Sequence, residues 1–249
     1  MTETLVLSRS DFNALIRQWP ALEFGLGRLA RLRVKELRER AQLVPLAAFP
    51  PEVQQVLDQT LGALSPSSVN DVLRDTLVRL LQIQERNTAH ISFLPPNLGH
   101  IARVIQNVER LANNPTLRQA LTAQFGEQAI AVSKFAALVS KIGFAYERFD
   151  PTDRRSYRLN RVYAMRILDR LQTQGLPEAL GLTSQQYHLL KEAIFREGTF
   201  GLGTEEEWRE THRDQLAKEG LASFVKRLPD DKYANPLTSI LTLASEADV

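Results

Sequence analysis

The residues best placed to do chemistry are cations and amides gathered in one stretch of the chain. Arg148, Arg154, Arg155 and Arg158 fall within a stretch of eleven residues. Upstream, Gln128, Ser133, Lys134 and Lys141 sit at spacings that put them on one side of a helix running from about 127 to 142. Guanidiniums on a loop suit phosphate contact or insertion into a narrow minor groove. On the helix, Gln128 matches the edge of adenine, and Lys134 or Lys141 matches guanine or a phosphate. Asp150 and Asp153 lie among the arginines, so pairing that merely stiffens a turn is the alternative for Arg154, Arg155 and Arg158. Gln128, Ser133 and Lys134 serve equally well as ordinary solvated residues.

Charge supports a polyanion partner locally. Residues 116–175 hold ten Lys/Arg against five Asp/Glu, whereas 205–249 hold six against ten, although the whole chain is only +2. The excess falls on the stretch that carries the candidate residues.

Other chemistries find little support. With no cysteine, disulfides, thiol nucleophiles and cysteine-ligated zinc are excluded. His90, His100, His188 and His212 are too far apart in sequence to suggest a metal site or a nucleophile–base pair. Gly25-x-Gly27-x-x-Ala30 imitates a dinucleotide fingerprint but lies in a helical pattern with no preceding strand. Gly198-x-x-Gly201-x-Gly203 lacks the Lys-Ser/Thr of a phosphate loop and reads as a hinge. The expectation is a non-enzyme without cofactor or metal. At 43% apolar and 24% charged residues, the chain can bury a sizeable core. Lacking a signal peptide or long apolar run, it is expected in the cytoplasm, not in a membrane.

The elements that must position these residues are predominantly helical. Leu117, Ala120, Leu121 and Phe125 recur at helical spacing over 116–125, and Gly126 breaks the run where the chain must turn. The next helix offers Ile130, Phe135, Leu138 and Ile142 inward and ends at Gly143. Two short strands, joined by the arginine-bearing loop, are expected to follow. Asn97 caps a helix over 98–112 carrying Ile101, Val104, Ile105, Val108 and Leu111. Further helices are expected at 52–61, from Ser67 or Ser68 through Ile83, and at 162–171. Others start after the caps Thr183 and Thr204, the latter followed by Glu205–Glu207 and running to Gly220, and a last one spans Pro236–Leu243.

The run Leu121-x-x-x-Phe125-Gly126, Val132-Ser133-Lys134, Leu138 and Gly143-Phe144 resembles the core of a winged helix-turn-helix domain. The following Arg148, Asp150-Pro151 and Asp153-Arg154-Arg155-Ser156 are similar to the wing of MarR-type transcriptional regulators. The close resemblance covers about 45 residues, or 97–174 with flanking helices. It implies a mainly α protein with a small β-hairpin wing, reading double-stranded DNA through helix 127–142 and anchoring through wing arginines, as a homodimer. The departure is Glu127-Gln128-Ala129-Ile130-Ala131, a poor set of hydrogen-bonding groups for a reading helix. Separately, residues 4–40 resemble the closing strand and final helices of Crp/Fnr-type cyclic nucleotide-binding domains, without the phosphate-cradling cassette that would precede them.

Four segments are expected: 1–43, an N-terminal strand and long helix able to self-associate; 52–92, helical; 97–174, the winged helix-turn-helix; and 176–249, a C-terminal helical segment. The functional expectation is a DNA-binding transcriptional regulator. Its alternatives are a protein-interaction or architectural module, whose basic face is covered by the acidic C-terminal segment or a partner, and a sequence-nonspecific DNA-maintenance protein.

Overall fold

The computed structural model describes residues 49–62, 68–88, 97–150, 154–197 and 204–247. The chain divides into two units, 1–48 and 49–249. The expected strand 4–8, the long N-terminal helix and the Crp/Fnr-like stretch all lie outside the described residues.

Helices α1 (Pro51–Gly62) and α2 (Ser68–Thr88) open the second unit. Asn97 caps α3 (Leu98–Leu111), its side chain accepting the His100 N–H. Asn114 and Pro115 start α4 (Pro115–Phe125), which stops at Gly126 with φ 65°. A left-handed residue there favours glycine, so the sequence break and the backbone turn have one cause. A single 3-10 turn, Gly126–Gln128, then leads into α5 (Ala129–Val139).

Helix α5 is the centre of the unit. It packs against α1, α3 and α4 and against two later helices, α9 (Ser184–Arg196) and α13 (Pro236–Glu246). Of its eleven residues, only Ala131 is exposed and Ile130 half-buried. A helix that is apolar around its whole circumference belongs inside a core. AIAVSKFAALV has that composition.

The expected wing is not confirmed. No strand occurs among the described residues. The stretch expected to form the first wing strand begins as a 3-10 turn, Ile142–Ala145, and Arg154–Arg158 forms the short helix α6. The backbone bonds locally: Phe149 donates to the Tyr146 carbonyl at 2.9 Å and Leu159 to that of Ser156 at 3.2 Å. The reason lies in the aromatics. Phe144, Phe149 and Tyr157 stack edge-on or tilted, with centroids 5.0–5.7 Å apart, and Tyr146 stacks on Tyr163 at 4.9 Å. A projecting hairpin would expose these rings, and burying them against the body is favoured by roughly 1.5–3 kcal/mol per large apolar side chain.

The turn Ile142–Ala145 is clasped between α2 and α7 (Asn160–Thr173). After α7 come the short α8 (Leu176–Ala179) and then α9, which opens on a capping box of Thr183 and Gln186. A second capping box, Thr204 with Glu207, opens α10 (Glu205–Thr211). The expected single helix to Gly220 is broken at His212 into α10 and α11 (Arg213–Lys218), and α12 (Ala222–Lys226) follows. Finally α13 packs on α3, α4, α5 and α9. One continuous apolar core runs from Val53 to Ala244.

Candidate functional site

The residues expected to form one outward face are dispersed. Ser133 is fully buried, and its hydroxyl donates to the Ala129 carbonyl at 2.7 Å. Lys134 is also buried, with Nζ 2.9 Å from Glu109 Oε1 on α3. Lys141, at the start of the 142–145 turn, donates to the buried carboxylate of Glu197. These three placements correct the expected outward face of helix 127–142: Ser133 and Lys134 are enclosed on α5, and Lys141 lies beyond its end, half-buried against Glu197.

Gln128 is exposed on the 3-10 turn, its side chain lying against Gly181. Arg148 is solvent-facing but donates from Nη1 to Glu219 Oε1 at 2.8 Å. Arg158 is exposed at the end of α6. The side chains of Arg154 and Arg155 lie outside what the structure describes. Among the candidates whose side chains are described, the partners are scattered: Lys134 meets Glu109 on α3, Gln128 lies at Gly181, Lys141 meets Glu197 and Arg148 meets Glu219.

The structure instead gathers ionic groups where the C-terminal segment meets the body. One chain of pairs runs Arg148–Glu219–Arg166–Asp169–Lys191. Glu219 is nearly inaccessible yet faces two guanidiniums. A second group surrounds the end of α9. Arg196, itself buried, donates Nε to Glu205 Oε2 at 2.9 Å and reaches the Asp231 carbonyl at 3.3 Å, with Glu192 3.7 Å away. Arg161 donates to the Phe195 carbonyl at 3.2 Å and lies 5.4 Å above the Trp208 ring.

Burial sets the proton affinities in this second group. The Glu192 carboxyl is pushed up by burial, which the Arg196 charge only partly offsets. For Glu197 burial also pushes upward, but the Lys141 ammonium, hydrogen bonds from Lys141 and Ser245, and the Arg161 charge leave it below its ordinary range. Arg161 is lowered to about 10 by burial, against the pull of Glu197 and Glu205. Such perturbed groups often mark reactive sites, but structural ion networks perturb them equally. Arg196 is matched by Glu205 and Glu197 by Lys141, whereas Glu192 is only partly compensated. Among the described residues no three His, Asp or Glu side chains are grouped to hold a metal, and no helix is long and apolar enough to cross a membrane.

Sequence reasoning misses this network. Glu192 and Arg196 share an i,i+4 spacing on an amphipathic helix, and that pair is the available signal. Nothing local reveals that Arg196 also meets Glu205, or that Lys141 meets Glu197 across 56 residues. Comparison with known proteins gives no matching family model, no similar curated protein and no similar solved structure.

Proposed function

We propose that residues 49–247 act as a non-catalytic, helical protein-interaction module. The observation that carries this reading is the neutralisation of the basic stretch by the chain's own C-terminal acids. Within it, Lys141 is taken by Glu197, and Arg148 and Arg166 by Glu219. Cations already paired at close range offer little to a phosphate backbone, since each would have to exchange one anion for another. Helix α5, the natural reading element, supports a core role through the burial of Ser133 and Lys134.

A second reading is sequence-blind contact with duplex DNA. It is favoured by Arg158, which is exposed and has no ion-pair partner among the described residues, beside Arg154 and Arg155. The two readings separate in a mobility-shift titration of the full chain with duplex DNA across a salt series. The interaction module gives no retarded band at low salt. A band whose affinity falls by several decades per decade of salt, and which Arg158→Ala weakens, would overturn it in favour of phosphate contact.

A further inference from the structure

Helix α2 carries a self-complementary surface. Its inner face, Leu73, Leu77, Leu81, Gln84 and Thr88, recurs every three or four residues and is buried against the body. On the opposite side, Val72, Asp75, Arg79 and Arg86 are all exposed, at i, i+3, i+7 and i+14, and so form one ridge. Val72, at 60%, is the most exposed large apolar side chain among the described residues. Beside the ridge Thr76, Leu80 and Ile83 are only half-buried, widening it into an amphipathic strip.

The charges on the helix are sorted. The two that break the order are engaged elsewhere: Arg74 pairs with Asp58 on α1, and Glu85 accepts the Leu98 N–H at 2.7 Å, closing the start of α3. What remains on the ridge is an acid toward the N-terminal end, Asp75, a base toward the C-terminal end, Arg86, and a second base, Arg79, near the middle. No ion pair among the described residues joins these three.

We propose that α2 pairs with α2 of a second copy of this chain, running antiparallel about a two-fold axis near residues 80 and 81. This rests on the interaction-module reading and names its partner. In an antiparallel pair Asp75 of each copy meets Arg86 of the other, because 75 and 86 lie equally far from that axis. A parallel pair would set Asp75 against Asp75 and Arg86 against Arg86. The helix has 21 residues, about 31 Å at 1.5 Å per residue, long enough for both charge pairs and the apolar strip between them. Charge order thus decides the orientation, while Val72, Leu80 and Ile83 contribute apolar contact.

Sedimentation of the full chain over a concentration series tests the pairing. The wild type dimerises. Arg86→Asp, which sets acid against acid at both ends, raises the dissociation constant at least tenfold, and Asp75→Arg does the same. The double variant Asp75→Arg/Arg86→Asp restores dimerisation, because the swapped ridge is again self-complementary. Orientation is read by single engineered cysteines, since the chain has none of its own. Gln82→Cys cross-links to its copy across an axial offset of about 4.5 Å, and Val72→Cys, displaced by about 25 Å, does not. A monomer at every concentration, a dimer indifferent to both single swaps, or self-linking through Val72→Cys would overturn the proposal. None of these outcomes involves DNA, so the salt-series titration remains a separate test of the module reading.

Discussion

Lys134 on α5 reaches sideways to Glu109 on α3, Nζ to Oε1 at 2.9 Å, with the lysine buried and the glutamate largely in solvent. The stem of the lysine is therefore core, and only its tip finds an anion at the rim. This one contact converts what looks like a DNA-facing cation into a strut between two helices.

Replacing that lysine tests its role. Lys134→Met keeps the apolar stem and removes the charge, so the stability change should stay below about 1 kcal/mol. Lys134→Glu puts a carboxylate at a buried position facing another acid, Glu109, and should cost about 3 kcal/mol or more. Urea unfolding followed by tryptophan fluorescence measures both. A large loss for Lys134→Met would mean that the ammonium does more than cap the strut.

Gly143 is fixed by proximity. A Cβ there would lie 1.9 Å from the Asn160 carbonyl oxygen and 2.8 Å from the Ala164 nitrogen, both backbone atoms that cannot swing aside. Gly143→Ala must push α7 off the 142–145 turn, and about 3 kcal/mol or more of stability should go with it. A thermal midpoint within about 2 °C of wild type would contradict this packing.

Glu197 and Glu192 should respond to pH with opposite signs. Glu197 holds a proton less tightly in the folded chain than its ordinary value of 4.5. Its ion pair therefore stabilises the fold above pH 4.5 and is lost as pH falls through the lower folded value. Glu197→Gln should cost about 2–3 kcal/mol at pH 7, shrinking toward zero at strongly acid pH.

Glu192 binds its proton more tightly when folded, so ionisation removes stability as pH climbs from 4.5 through the raised value. Glu192→Gln should leave stability at pH 7 unchanged or higher, with no gain near pH 4. Denaturant midpoints at the two pH values decide. A loss at pH 7 larger than that at pH 4 would reverse the assignment.

Breaking the Glu219 hub should loosen two helices together. Glu219→Gln withdraws the anion facing both Arg148 and Arg166. Both arginines keep access to water, so the loss should be about 1–2 kcal/mol rather than that of a fully buried pair. Arg148→Ala alone should cost under about 1 kcal/mol. Equal losses for the two variants would show that Arg166 takes no part.

Where local signals act alone, the sequence is readable. Asn97, Thr183 and Thr204 cap the helices they precede, Gly126 turns left-handed after α4, and Pro236 starts α13. The helical period of Ile101, Val104, Ile105 and Val108 likewise names the buried face of α3. Which polar groups face water is harder to see. Spacing alone makes Ser133 and Lys134 a solvated side, yet AIAVSKFAALV offers just these two polar residues, adjacent and flanked by apolar groups. That near-continuous apolarity is the clue to enclosure. The aromatic clasp of Phe144, Phe149 and Tyr157 is hidden for another reason: in isolation, aromatics such as Phe144 and Tyr146, two residues apart, suit a strand as well as a folded-back turn.

Asn107 donates to the Ala244 carbonyl across 137 positions, and α13 rests on α3, α4, α5 and α9 alike. During synthesis, then, the hundred-odd residues between must wait without their final support. The last helix made is thus one that the middle of the unit rests on, so its packing is completed only when position 246 has been added.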